Sequence, residues 1–357
     1  MKHPSDVMPK FPIGDSNKKE VLNVVAHETP DLYKVGISLT EPTFNIEFQV
    51  PTSSLGTLDV LPLELFDLVL RCSDMRTLST LRYINRRTRL VVDASLPYKH
   101  IISSAPHIRA TFERTGVASH FSVQQVFSVL TRPACSICGK FGMYLWIPEC
   151  IRCCFTCLRE AQETMPMTER DAQVAFGLHK NQKSKIPVMV TLPGSYTLFQ
   201  KLRRRQVRLV SRKLAKQLGV VVHGGEDGLA TYLSSSNSKA KAAYDQRCAA
   251  DNRPIAYDSF GRINNTVDNM HRYISAVHFP YFDRASHTTH LGLACHGCQV
   301  ALERGLEDDL PSLDDDALIR LRDQTYTEQG ILDHLDECED AQGLWLAFNK
   351  KRKFTRK

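Results

Sequence analysis

The chain has 357 residues, 42% hydrophobic and 24% charged, enough for a sizeable core in one large domain or a few small ones. No long uninterrupted apolar run is present, which argues against a membrane span, and Met1 to Pro12 lack the apolar core of a signal peptide. A reducing compartment, cytoplasmic or nuclear, is therefore expected, with the eleven cysteines serving as thiols or metal ligands, since an odd number fits a full disulfide framework poorly.

Residues 1–57 are rich in Pro, Ser, Thr and Lys and read as a disordered linker. One short strand is expected where Phe44, Ile46, Phe48 and Val50 alternate. From Leu58 the character changes. Pro62 suits the first turn of a helix, and Glu64 suits its positive end. Leu65, Leu68 and Val69 then recur at helical spacing. Asp74 is positioned to cap a second helix striped by Leu78, Leu81 and Ile84. Arg86 to Val92 continue into a third helical piece that ends before Pro97. Three such short helices carry more apolar surface than one small bundle can bury, which points to a partner surface.

Further helices are expected over 121–131, 196–218, 226–249 and from Glu328 to Phe348. The second of these would be long and basic, and an acidic loop is expected over 303–316. The net charge of +7 conceals this asymmetry: residues 172–225 carry eleven Lys/Arg and no Asp/Glu, whereas 303–340 carry fourteen Asp/Glu against three Arg. A basic face for phosphate or an acidic partner is one reading. Solvated helix faces, or two segments facing each other, is the simpler and preferred one. The basic tail, 350–357, is equally compatible with nuclear import or simple solvation.

Two cysteine constellations carry metal-ligand spacing. The first is Cys135-x2-Cys138-x15-Cys154-x2-Cys157, with Cys150 and Cys153 as a rival pair. The Cys138 to Cys154 interval falls in the zinc-ribbon range, and the interval to Cys150 falls short of it. The second is Cys295-x2-Cys298-x35-His334-x3-Cys338. There His334 and Cys338 stand four apart on the expected last helix and so share a face. Each set offers four protein ligands and no open position, which is the pattern of structural rather than catalytic zinc. About two zinc ions per chain are expected.

Residues 58–100, with Leu61-Pro62-Leu63-Glu64-Leu65, Val69, Leu78, Leu81, Ile84, Asn85-Arg86-Arg87 and Leu90, resemble an F-box. The layout downstream, with Cys138-Gly-Lys-Phe-Gly142 and Arg152-Cys-Cys-Phe-Thr-Cys-Leu158, is similar to fungal F-box proteins with cysteine-rich C-terminal regions. The resemblance implies a mainly α fold: an N-terminal three-helix F-box (58–100) followed by an irregular helical body (101–349) stapled by two zinc sites. It further implies that Leu61, Pro62, Leu65, Val69, Leu78, Leu81 and Ile84 dock on the Skp adaptor of a cullin-scaffolded SCF ubiquitin ligase. The body would then capture a protein substrate, and the chain itself would be no enzyme. A zinc-containing nucleic-acid-binding protein and an F-box scaffold acting outside the ligase are the alternatives.

Overall fold

The computed structural model describes residues 17–28, 35–39, 53–178, 185–196, 203–235, 239–251, 267–307 and 315–355. The fold is mainly helical, with four small sheets among the described residues. Among these residues, no helix is long and apolar enough to cross a membrane.

Between Leu61 and Pro97 the three helical pieces form as the sequence predicts, and side-chain caps start the second and third. A short 3-10 turn (Gly56–Val60) leads into α2 (Leu63–Cys72), with Pro62 at its N-cap. Asp74 caps α3 (Met75–Ile84), its carboxylate accepting from the Thr77 amide at 2.8 Å. Asn85 and Thr88 exchange side-chain and backbone hydrogen bonds as a capping box that starts α4 (Arg86–Ala94). Pro97 sits in the first turn of α5 (Leu96–Ser104), and α6 (His107–Thr115) ends at Gly116 in the left-handed conformation, φ +82. Ser122 caps α7 (Val123–Leu130).

These helices do not form a separate bundle. Phe66, Leu70, Met75, Leu78 and Val92 lie in one continuous apolar cluster with Phe112, Val126, Tyr144, Trp146 and Phe279. Residue 100 therefore marks no break in packing. The cluster closes over a three-stranded sheet in which β2 (Tyr144–Trp146) lies between β3 (Ile151–Cys153) and β7 (Ala276–His278), antiparallel to both. A helix, α13 (Val267–Ile274), leads into β7.

A second cluster is built from both ends of the chain. The helix α1 (Lys18–Val25) and strand β1 (Ala26–His27) pack against β10 (Leu293–Cys295), α16 (Glu328–Leu335) and α17 (Glu339–Thr355). In its sheet, β10 pairs with β1 on one side and β11 (Thr325–Tyr326) on the other. Within 1–57, read as linker, Lys18–His27 are therefore helix and strand. Val21 and Val25, one turn apart, are buried, and Glu20 pairs with Arg352. Val35 and Ile37 are also buried, in the first cluster. The strand expected over Phe44 to Val50 lies outside the described residues.

A third cluster joins the sheet β4 (Pro166–Thr168), β6 (Arg208–Ser211) and β5 (Met189–Val190) to α9 (Glu169–Phe176), α10 (Arg212–Val222) and α11 (Glu226–Ser235). The basic segment over 196–218 does not form the one long helix expected of it. Arg208–Ser211 is the central strand of that sheet, and the helix starts only after Ser211, whose hydroxyl accepts from the Leu214 amide. A β-rich run, Val207 to Val210, and a good cap outweigh leucine spacing there. Of the helix expected over 226–249, the described parts are helical: α11 and α12 (Lys239–Asp251). The acidic stretch is entered by α14 (His296–Glu307) and left by α15 (Asp315–Arg322) rather than being loop throughout.

One buried cation holds the first cluster to the cysteine region. Arg152 is fully buried, and its guanidinium donates to five backbone carbonyls: Val129 (3.1 Å), Leu130 (3.5 Å), Gly142 (2.6 Å), Phe279 (2.8 Å) and Pro280 (2.6 Å). Two of these are the last carbonyls of α7, where the helix dipole favours positive charge. Burial nevertheless pulls the Arg152 pKa down to about 9. Replacing it leaves buried acceptors unpaired, at about 1–3 kcal/mol each. Arg152→Met should destabilise the chain by at least about 3 kcal/mol in denaturant titration; a loss below about 1 kcal/mol would show that the carbonyls are satisfied without it.

Candidate functional site

The first metal-ligand set is assembled within a short stretch. Cys135 to Cys138 form a tight turn: the Gly139 amide donates to the Cys135 carbonyl at 3.0 Å, with Gly139 at φ +78, and the Ile137 amide points at the Cys135 sulfur at 3.4 Å. The β2–β3 hairpin then carries the chain to Cys154. This residue caps α8 (Phe155–Glu160), and its sulfur accepts from the Cys157 amide at 3.4 Å. The Sγ atoms of Cys135, Cys138, Cys154 and Cys157 all lie within 4.8 Å of one another, and those of Cys138 and Cys154 are 3.6 Å apart.

The rival pair is excluded from this set. Cys150, in the left-handed conformation at the turn of the hairpin, and Cys153, on β3, are buried elsewhere. Burial pushes the Cys150 thiol up to about 12 and that of Cys153 well above its ordinary value. Both are neutral core thiols. The interval that favoured Cys154 over Cys150 thus matches the geometry.

The second set draws on three separated elements. Cys295 ends β10, Cys298 lies in the first turn of α14, His334 lies in the last turn of α16, and Cys338 immediately precedes α17. The Cys295 and Cys338 sulfurs are 3.9 Å apart, and Cys298 Sγ is 3.2 Å from His334 Nε2. All four donor atoms lie within 4.8 Å. The structure corrects one premise: His334 and Cys338 are not on one helix. The expected helix from Glu328 to Phe348 breaks between Leu335 and Glu339, with the Cys338 amide still bonded to the His334 carbonyl at 3.0 Å. That bond is the helical i,i+4 one, so His334 and Cys338 stay on one side although Asp336 and Glu337 form a turn between the two helices. His334 also stacks on Tyr326, ring centroids 4.8 Å apart.

Gly297 makes this second set possible. A Cβ there would run into the backbone of Ala341 on α17, so α14 and α17 approach closely only because position 297 has no side chain.

Both donor sets fit a tetrahedral thiophilic ion. Two thiolates at 2.3 Å from one such ion stand about 3.8 Å apart, against 3.6 Å and 3.9 Å observed. Without an ion, protons are shared unevenly among the donors. Hydrogen bonds from Cys154 and Cys157 hold the Cys135 thiol far below its usual range, while Cys157 is driven upward by its bond to Cys135. In the second set, bonds from Cys295 and Cys298 depress Cys338, and the bond to Cys295 raises His334 to about 9. Crowded thiols of this kind share protons when no cation is present, and a divalent ion lets all of them ionise.

The two sets are tied to each other. Arg159, on the α8 helix of the first, is buried and pairs with Asp323 at 3.1 Å and Glu160 at 2.7 Å. Asp323 leads into β11, beside Tyr326 of the second. Neither this bridge nor the contribution of α1 was visible in any local window of the sequence.

The apolar residues of α2 divide cleanly. Phe66 and Leu70, four apart, point inward. Leu65, Leu68, Val69 and Cys72 fall at helical spacing on the other face, and all are exposed, as are Leu63 and, just ahead of the helix, Leu61 and Pro62. Leu65, for example, is 50% exposed. Ile84 and Tyr83, at the end of α3, are exposed too. Leu78 is corrected: at 0% exposure it is a core residue and offers nothing to a partner. Leu81 is partly buried against the same core.

Serine replacements separate ligands from bystanders. Cys154→Ser should lose one equivalent of bound metal and most of the stability of its cluster, whereas Cys150→Ser should keep full metal content and lose about 1–2 kcal/mol from burying a hydroxyl. The reverse order in metal analysis would overturn the ligand assignment. No family model, no curated protein and no solved structure matches this chain.

Proposed function

We propose that the chain is a non-enzymatic docking subunit stapled by two structural zinc ions. In this reading it presents the outer face of α2 to the Skp adaptor of a cullin-based SCF ubiquitin ligase, and its C-terminal body captures a protein substrate. The observation that carries the proposal is the bare stripe Leu65, Leu68 and Val69 on a helix whose opposite face is already anchored by Phe66 and Leu70, with Leu61 exposed just ahead of it. Such a stripe costs free energy in water, about 1.5–3 kcal/mol for each large side chain that a partner would cover. The anchored face makes it rigid, so little ordering entropy opposes docking. Zinc supports the reading by holding the body that carries the helix. One set of four cysteines and one of three cysteines with a histidine would fill both ions with protein ligands and leave no place for substrate.

The nucleic-acid alternative has weaker support. The long basic helix it relied on does not form, and Arg208, Lys213 and Lys216 each lie against a carboxylate, on Glu169, Glu149 and Glu226.

Replacing Leu65 and Val69 together by Glu in the full chain should reduce capture by the purified adaptor more than about tenfold, with melting temperature and metal content unchanged. Undiminished capture by that folded variant would remove the docking claim. Capture without any acceleration of substrate turnover would leave a scaffold outside the ligase.

A further inference from the structure

Beside the second metal-ligand set lies an open cleft of about 630 Å³. Its volume falls in the range that holds a ligand or several peptide side chains, roughly 300–1,000 Å³. The walls are of two kinds. Ala301, Leu318, Leu321 and Tyr326 supply an apolar floor, and Leu321 is 42% exposed there without a covering partner among the described residues. Asp333, Glu337, Glu339 and Asp340 supply carboxylates, against Lys140 as the one Lys or Arg of the lining. Lys140 donates to the Gln324 amide oxygen at 2.7 Å, and Asp340 is taken by Arg304. Asp333, Glu337 and Glu339 are exposed, and Asp333 accepts from the Gln329 amide at 2.9 Å.

These carboxylates do not converge on one point. The only groups of His, Cys, Asp and Glu that could hold an ion among the described residues are the two cysteine sets. A single metal ion is thus a poor occupant, and several separated positive charges are a good one. The ligand set adds to the field: three thiolates around one divalent ion leave a net negative charge beside the cleft. An apolar floor under an acidic rim matches a side chain with an aliphatic stem and a cationic head, or an apolar residue flanked by them.

We propose that this cleft, floored by Leu318, Leu321 and Tyr326 and rimmed by Asp333, Glu337 and Glu339, binds a basic peptide segment carrying an apolar residue between Lys or Arg. Such a segment lays its apolar side chain on Leu321 and its cationic heads along the rim. Because His334, Cys298 and Cys338 line the same cleft, loss of the metal dismantles it. The inference goes beyond the docking face on α2 and does not depend on it.

The test is fluorescence anisotropy on the full metal-loaded chain, with a labelled peptide Gly-Lys-Arg-Leu-Arg-Lys-Gly. Two controls are the same peptide with Glu for every Lys and Arg, and with Gly for Leu. Micromolar binding of the first peptide is expected, weakened at least about tenfold in each control and weakened by added salt. Leu321→Arg should lose at least about tenfold, and the pair Asp333→Asn with Glu339→Gln should do the same. Metal content and melting are recorded for every variant, and Leu321→Arg decides if the carboxamide pair sheds metal. The Leu65→Glu, Val69→Glu variant should bind normally, which separates failure of this inference from failure of adaptor docking. No binding of the basic peptide, equal binding of the acidic one, or unchanged binding by folded Leu321→Arg would overturn the proposal. Equal binding of free spermine would also overturn it, since spermine carries charge but no apolar side chain.

Discussion

Seven thiols and one imidazole are held in two knots whose donor atoms lie within 4.8 Å, and the geometry of the C-terminal body follows from that crowding. Neutral thiols gain little from such proximity, and thiolates repel one another. Only a cation placed among them turns the arrangement from a cost into a gain, worth about 10–16 kcal/mol per site in small zinc-binding peptides. The second knot shows the consequence most clearly. It joins β10, α14, α16 and the start of α17, and α1 from the far end of the sequence packs on the result.

The knots do not act alone. Arg152 fastens the hairpin of the first to the end of α7 and to the chain after β7 through carbonyls, without a carboxylate partner among the described residues. Arg159 then links the α8 helix of the same knot to Asp323 and thus to the second. Buried ion pairs of this type add little net stability but fix geometry, since breaking one leaves a bare charge inside the fold. The outcome is a continuous body with rigid joints. A helix whose inner face belongs to that body can therefore offer its outer leucines without collapsing onto them.

Legibility in the sequence followed range. Features decided within a turn or two were readable: Asp74 as a cap, the end of α4 before Pro97, and the choice of Cys154 over Cys150 by interval. Features decided by distant partners were not. Nothing near Val21 announces that it will pack with Trp345. Leu78 and Leu65 look alike as leucines on amphipathic helices, yet one meets the core and the other meets water. The error over 196–218 has the same origin. Leucines recurring there satisfy a helical pattern, but strands on both sides claim Arg208–Ser211. The break after Leu335 escaped notice because no proline or glycine marks it in Asp336-Glu337-Cys338.

Native mass spectrometry of the intact chain, purified without added metal or chelator, tests most directly whether zinc holds this body together. The expected result is a mass excess equal to two zinc ions, lost together with the folded charge-state distribution on chelation. A folded chain that carries no metal would contradict it.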